Sequence, residues 1–225
     1  VRLVENKIIK RFRFSFLVLV LLSLYIVVPF FDISFLTDLV VSFLFIAALA
    51  AVTQNSQLFW LTLVLAVFTI SLTWGSYWSG NEQLAIIART FQILFVVLIA
   101  GAILSQIFTH KKITRETVAG AICVYLLMGT MWADVYGIME IVQPGTFPAY
   151  ETAAGEIITD PHLRSSQFHY FSFVTLSTLG YGDITPTTRE AQSLASMEAI
   201  IGQLFLAVLI ARLVGQQVSY REKED

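Results

Sequence analysis

The segment Thr178-Leu179-Gly180-Tyr181-Gly182-Asp183 places glycine at alternate positions of a short run. Successive backbone carbonyls line up along one axis only if the chain alternates between ordinary and left-handed conformations, and glycine enters the latter cheaply. Gly180 and Gly182 supply that freedom. Such a ladder of carbonyls can replace the hydration shell of a monovalent cation and still release the ion. Thr178 would add its hydroxyl oxygen at one end. Leu179 and Tyr181 would contribute carbonyls and turn their side chains away, Tyr181 packing on rings such as Tyr170 and Phe171. A cation would therefore meet oxygens of Thr178, Leu179, Gly180 and Tyr181, with Gly182 and Asp183 completing the segment.

The elements that must position this ladder are membrane helices. The chain has 225 residues, 56% hydrophobic and 13% charged, with a mean hydropathy of +0.74, too apolar for a domain needing a polar shell. Apolar runs near the ~20 residues that cross a bilayer as a helix occupy residues 14–31, 34–52, 58–74, 84–108, 118–141 and 191–214. None shows the period-two alternation of a barrel strand. The expected fold is an all-α membrane protein with six transmembrane helices, a re-entrant helix and the glycine loop. Its expected parts are a basic N-terminus (1–13), a four-span domain (14–108), a basic linker (109–117), a two-span domain carrying the glycine loop (118–214) and a tail (215–225).

Eleven of the fourteen basic residues fall before the first span, between the fourth and fifth, or at the end of the chain. The positive-inside rule then puts both termini in the cytoplasm, as for a multi-pass protein of the cell membrane. The net charge of -2 offers no basic field for nucleic acid, which is excluded as a partner. The single cysteine, Cys123, permits no intrachain disulfide.

Between the last two spans, polar residues 143–167 precede a short apolar run, 168–177. At 1.5 Å per residue that run reaches roughly 15 Å, enough to enter half a bilayer and stop. Irregular backbone following it at membrane depth must be buried in protein or line a water-filled path. After the loop, Thr187 and Glu190 form a capping-box pattern, so the last helix should begin near Thr188.

At this point a resemblance is plain. Thr178 to Asp183 resembles the signature of the potassium channel family, and the similarity extends over residues 168–214. Leu179 stands where valine is usual, and Tyr170 and Phe171 stand where paired tryptophans are common. The resemblance implies K+ as the permeant ion, no other cofactor, and a homotetramer, because one strand cannot enclose an ion. It also implies an inner-helix hinge at Gly202, with Gln203, Leu206 and Ile210 facing the cavity. The chain is similar to small prokaryotic members that lack an arginine-rich span: residues 84–108 carry Arg89 alone, too little for steep voltage dependence.

Arg89 needs a partner if buried, and Asp38 lies at a comparable depth; an ion pair, or snorkelling of each to the interface, is expected. Asp134 and Glu198 fall at the depth of the loop's support. Glu198 is expected to brace the re-entrant helix through Ser172 or Thr175. A potassium-uptake transporter would need several reduced motifs in one chain, and a membrane enzyme or receptor would need clustered ligands; neither pattern is present. The tail is expected to be too short for an attached nucleotide- or calcium-binding domain. That leaves membrane tension, membrane lipid, pH or a separate regulatory subunit as the stimulus.

Overall fold

The computed structural model describes residues 7–26, 44–45, 47–49, 56–109, 114–148 and 161–221. Among the described residues the long helices are, in order, α1 (Lys7–Ile26), α2 (Ser56–Ser79), α3 (Glu82–Thr109), α4 (Arg115–Val142), α5 (Pro161–Leu176) and α6 (Arg189–Arg221). By length and composition α2, α3, α4 and α6 can each cross a membrane, and α1 contributes a shorter apolar stretch, Arg13–Ser23. The expected span 34–52 lies outside the described residues except for Leu44, Phe45, Ala47, Ala48 and Leu49, which are helical.

The helix ends follow local chemistry. Gly80, at φ +61°, closes α2, its N–H donating to Ser76 O at 2.9 Å, as a left-handed glycine does at a helix C-terminus. Asn81 then caps α3: its Oδ1 accepts from Gln83 N at 2.9 Å and Leu84 N at 3.3 Å. Two residues thus join α2 and α3 as an antiparallel pair. Thr114 and Thr117 cap α4 reciprocally, each hydroxyl accepting from the other's amide at 3.2 Å. Helix α6 starts as expected in place but not in detail. Thr188, not Thr187, is the cap, accepting from Ala191 N at 3.4 Å.

Two cores result. One packs Leu17 and Leu21 of α1 with Phe45, with Phe95, Ile99 and Ile103 of α3 and with Val124 and Leu127 of α4. The other surrounds α5, where Tyr136, Phe147, Phe168 and Phe171 meet edge to face at 5.0–5.5 Å. Lipid tails are as apolar as these side chains, so close packing rather than water exclusion must hold the helices together. Small residues provide it: a Cβ on Gly129 would lie 2.2 Å from the Phe173 ring.

Helix α4 is the hub, with 56% of its apolar window buried, whereas α6 has 17%. The apolar face of α6 is therefore uncovered in a single chain, with Ile200, Leu204, Val208 and Ile210 all exposed. Helix α5 is longer than its apolar run. Residues 161–167 are helical too, giving about 24 Å rather than 15 Å, because the polar first turn is tied to α4 by an ion pair described below.

Candidate functional site

The chain leaves α5 at Leu176 and folds back on it. Ser177 N donates to Phe173 O at 3.0 Å, Thr178 N to Thr175 O at 2.9 Å, and Leu179 N and Gly180 N both to Val174 O at 2.9 and 3.2 Å. The carbonyls that a helix end leaves unpaired are thereby used, and the loop is pinned by its N–H groups. Its φ angles are positive at alternate residues, Thr178 (58°), Gly180 (60°) and Gly182 (78°). Leu179 and Tyr181 between them are not in that region. This is the alternation that turns successive carbonyls toward one side. Thr178 is the surprise, since a β-branched residue at positive φ is strained, and the four hydrogen bonds around it are what hold it there.

A buried polar group stands behind α5. Glu198 of α6 is fully buried. Tyr136 of α4 donates to its Oε2 at 2.5 Å. Ser172 of α5 lies 2.6 Å from its Oε1 and 2.8 Å from Gly129 O. One carboxyl thus joins the three helices that meet behind the loop. Of the two expected contacts Ser172 is the one made; Thr175 instead gives its carbonyl to Thr178 N. Gly202 is buried one turn further along α6, where a Cβ would stand 2.6 Å from Leu176 O. The glycine lets α6 touch the end of α5, and α6 runs through it as an unbroken helix. Gln203, Leu206 and Ile210 follow on α6, Gln203 and Ile210 being exposed.

At the opposite end of the loop, Tyr170 donates to Asp183 Oδ2 at 2.6 Å. That phenol holds the Asp183 carboxyl below the usual carboxylate range. Thr187 donates to Gly145 O at 2.7 Å, and its N–H to Thr146 O at 2.8 Å. Glu140, at the end of α4, accepts from Gly145 N and Phe147 N, both at 2.9 Å, and from Arg164 of α5 at 2.6 Å. These bonds link both ends of the loop to α4. Sequence reasoning missed Glu140, Tyr136 and this use of Thr187; a glutamate closing an apolar run was the available signal for Glu140.

Within this one chain Tyr181 does not pack on Tyr170 and Phe171. It is 67% exposed, because Tyr170 is engaged by Asp183 and Phe171 packs on Tyr136 and Phe147. Leu179 is 55% exposed. The expected partner of Arg89, Asp38, lies outside the described residues, and the carboxylate set against Arg89 is Asp134 of α4, at 3.2 Å. Gly137, one turn from Asp134, makes the room: a Cβ there would lie 2.6 Å from Arg89 Nη1.

Residues 151–217 match a family model described as ion channel. Over 53 residues the chain is 43% identical to two-pore potassium channel 4 of Arabidopsis thaliana, a stretch covering 24% of this chain and 19% of that protein. The chain therefore spans about a fifth of the length of the curated relative it matches. No solved structure matches it. Both similarities point to a membrane ion channel rather than an enzyme.

Proposed function

We propose that the chain is one subunit of a homotetrameric, six-span, potassium-selective channel that conducts K+ passively and is not strongly voltage-gated. The observation that carries this reading is the alternation of positive φ at Thr178, Gly180 and Gly182 in a loop pinned by its own amides to the end of α5. Four such loops around an axis would stack rings of oxygens from Thr178, Leu179, Gly180 and Tyr181, and a K+ ion would exchange its water for them. The carboxyl end of α5 contributes the negative pole of a helix dipole near the same axis.

The tetramer is supported by what one chain leaves uncovered. Tyr181, Leu179 and the apolar face of α6 are exposed, and neighbouring subunits would cover them. Gln203, Leu206 and Ile210 would then line the cavity below, with Gly202 the point at which α6 bends to open it. Independence from voltage is supported by Arg89. It is the one basic residue of α3 and is already paired with Asp134, so α3 carries no unpaired basic charge for a membrane potential to move. Membrane lipid, tension, pH or a separate regulatory subunit would then set the open probability, and the termini would face the cytoplasm of a cell-membrane protein.

Recording from purified protein in a planar bilayer tests this reading. The expected result is unitary current whose open probability changes little across 200 mV; a steep sigmoidal activation, or silence with every stimulus named above, contradicts it. The 200 mV range is roughly that over which about 4.6 kcal/mol acts per transferred charge.

A further inference from the structure

We propose that the crevice between the α2–α3 pair and α4–α5 binds a phospholipid whose headgroup carries both a phosphate and a primary ammonium. The headgroup lies beside Arg89 and Asp134, with an acyl chain running toward Phe95 and Leu127. This rests on the membrane reading of the chain and not on its ion selectivity.

The crevice holds about 660 Å³, within the ~300–1,000 Å³ of small-molecule sites. Its polarity is graded along the helices. Arg89 lies about 10 Å along α3 from Glu82, and Asp134 about 12 Å along α4 from Val142, so they share a level. Another ~9 Å inward the walls are Phe95 and Val96 of α3, Leu127 of α4 and Phe45, all buried and all apolar. A small polar solute would leave this apolar end unfilled. A plain hydrocarbon would cover charged groups without bonding them, which is costly. An amphiphile satisfies both ends.

The headgroup class follows from the bonds left unspent. Among the described residues Arg89 donates one of its five N–H groups, to Asp134 Oδ1. Asp134 in turn spends Oδ1 alone. Both side chains keep some exposure, 18% and 11%, and both line the crevice. Unspent donors and an unspent carboxylate oxygen thus stand side by side. An anionic headgroup would meet the donors and be repelled by the carboxylate; a cationic one would meet the reverse. A phosphate on the Arg89 guanidinium with an ammonium on Asp134 Oδ2 satisfies both with charge-assisted bonds. A quaternary ammonium has no N–H to give, so choline lipids fit less well.

The test is photo-crosslinking on the wild-type protein in vesicles, using phospholipids with a diazirine on one acyl chain and ethanolamine, choline or glycerol headgroups. Mass spectrometry should place ethanolamine-lipid adducts on α3 between Arg89 and Val96 and on α4 between Leu127 and Asp134, roughly tenfold above the other two headgroups. That factor is worth about 1.4 kcal/mol, the scale of one lost bond to a charged group. Equal labelling by all three headgroups overturns the proposal, as does labelling concentrated on the exposed α2 face around Leu61 and Val64. Ala85→Trp, which fills the crevice, should remove the α3 and α4 adducts while α2 labelling persists. Adducts unchanged in that variant also overturn it. Neither readout depends on which ion the protein conducts.

Discussion

Ser172 Oγ lies within hydrogen-bond distance of both Glu198 Oε1, at 2.6 Å, and Gly129 O, at 2.8 Å. A serine hydroxyl has one proton and cannot make a full-strength bond to two acceptors at once. The group is satisfied when Ser172 donates to the Gly129 carbonyl, the Glu198 carboxyl itself carries a proton and donates to Ser172, and Tyr136 donates to Oε2. Each side-chain oxygen of Glu198, Ser172 and Tyr136 then has a partner, and this group buries no charge.

Replacements at Glu198 follow from that count. Glu198→Gln keeps a donor facing Ser172 and an acceptor facing Tyr136, so the melting temperature and ion selectivity should stay close to wild type. Glu198→Ala leaves the buried Tyr136 hydroxyl without its acceptor, at about 1–3 kcal/mol, and should lower both stability and selectivity. If the two variants behave alike, the proton count is wrong.

Arg89 and Asp134 should show strong coupling. Removing either partner leaves a charge in the membrane without compensation, at a cost of about 3–5 kcal/mol. Removing both with Arg89→Met and Asp134→Leu should cost much less. Folded yield and resistance to detergent denaturation of the four proteins in a double-mutant cycle measure this; additive losses would mean that the two side chains do not depend on each other.

Glycine-to-alanine changes should split by position. At Gly101 a Cβ meets nothing within 4 Å, and alanine should be neutral or stabilise α3 by up to about 1 kcal/mol. At Gly202 the Cβ would press on the Leu176 backbone carbonyl, which cannot swing aside. Gly202→Ala should displace the end of α5 and lower unitary conductance, while Gly101→Ala should not. Single-channel recording distinguishes the two.

The Tyr170–Asp183 bond predicts a pH signature. The phenol lowers the Asp183 pKa, so its contribution is fully present above the ordinary aspartate value near ~4 and is lost only as pH falls through the lowered one. Wild-type current should therefore tolerate external acid down to about pH 4 with respect to this group. Tyr170→Phe removes the donor and should move the acid-induced loss of current upward toward the ordinary aspartate range. Coincident acid titrations of wild type and Tyr170→Phe would show that the bond does not support the loop.

Some of this was legible in the sequence. The glycine loop could be read because its backbone chemistry is local: alternate glycines mean alternate conformations wherever the loop sits. Long apolar runs located α2, α3, α4 and α6 to within a few residues, except that α2 and α6 ran on at their C-terminal ends, since the hydrophobic requirement of the bilayer acts on each helix separately. Partnerships across helices were less visible. Depth along a span pointed to Asp38 for Arg89, whereas helix rotation and the notch at Gly137 bring Asp134 against it. The start of α5 was hidden for a related reason. Arg164 reads as a loop residue until Glu140, at the end of another apolar run, is brought against it. Thr187 and Thr188 are adjacent candidates for one cap. The choice fell to Thr188 because Thr187 is drawn to the carbonyls of Gly145 and Thr146.

The central claim is tested most directly by cation flux from liposomes containing the purified protein, with K+ or Na+ as the sole permeant cation inside. Selective conduction through Thr178, Leu179, Gly180 and Tyr181 predicts K+ efflux well above that of Na+, lost when Gly180→Ala blocks the left-handed conformation at that position. Equal K+ and Na+ flux in the wild type, or K+ flux that survives Gly180→Ala unchanged, would contradict it.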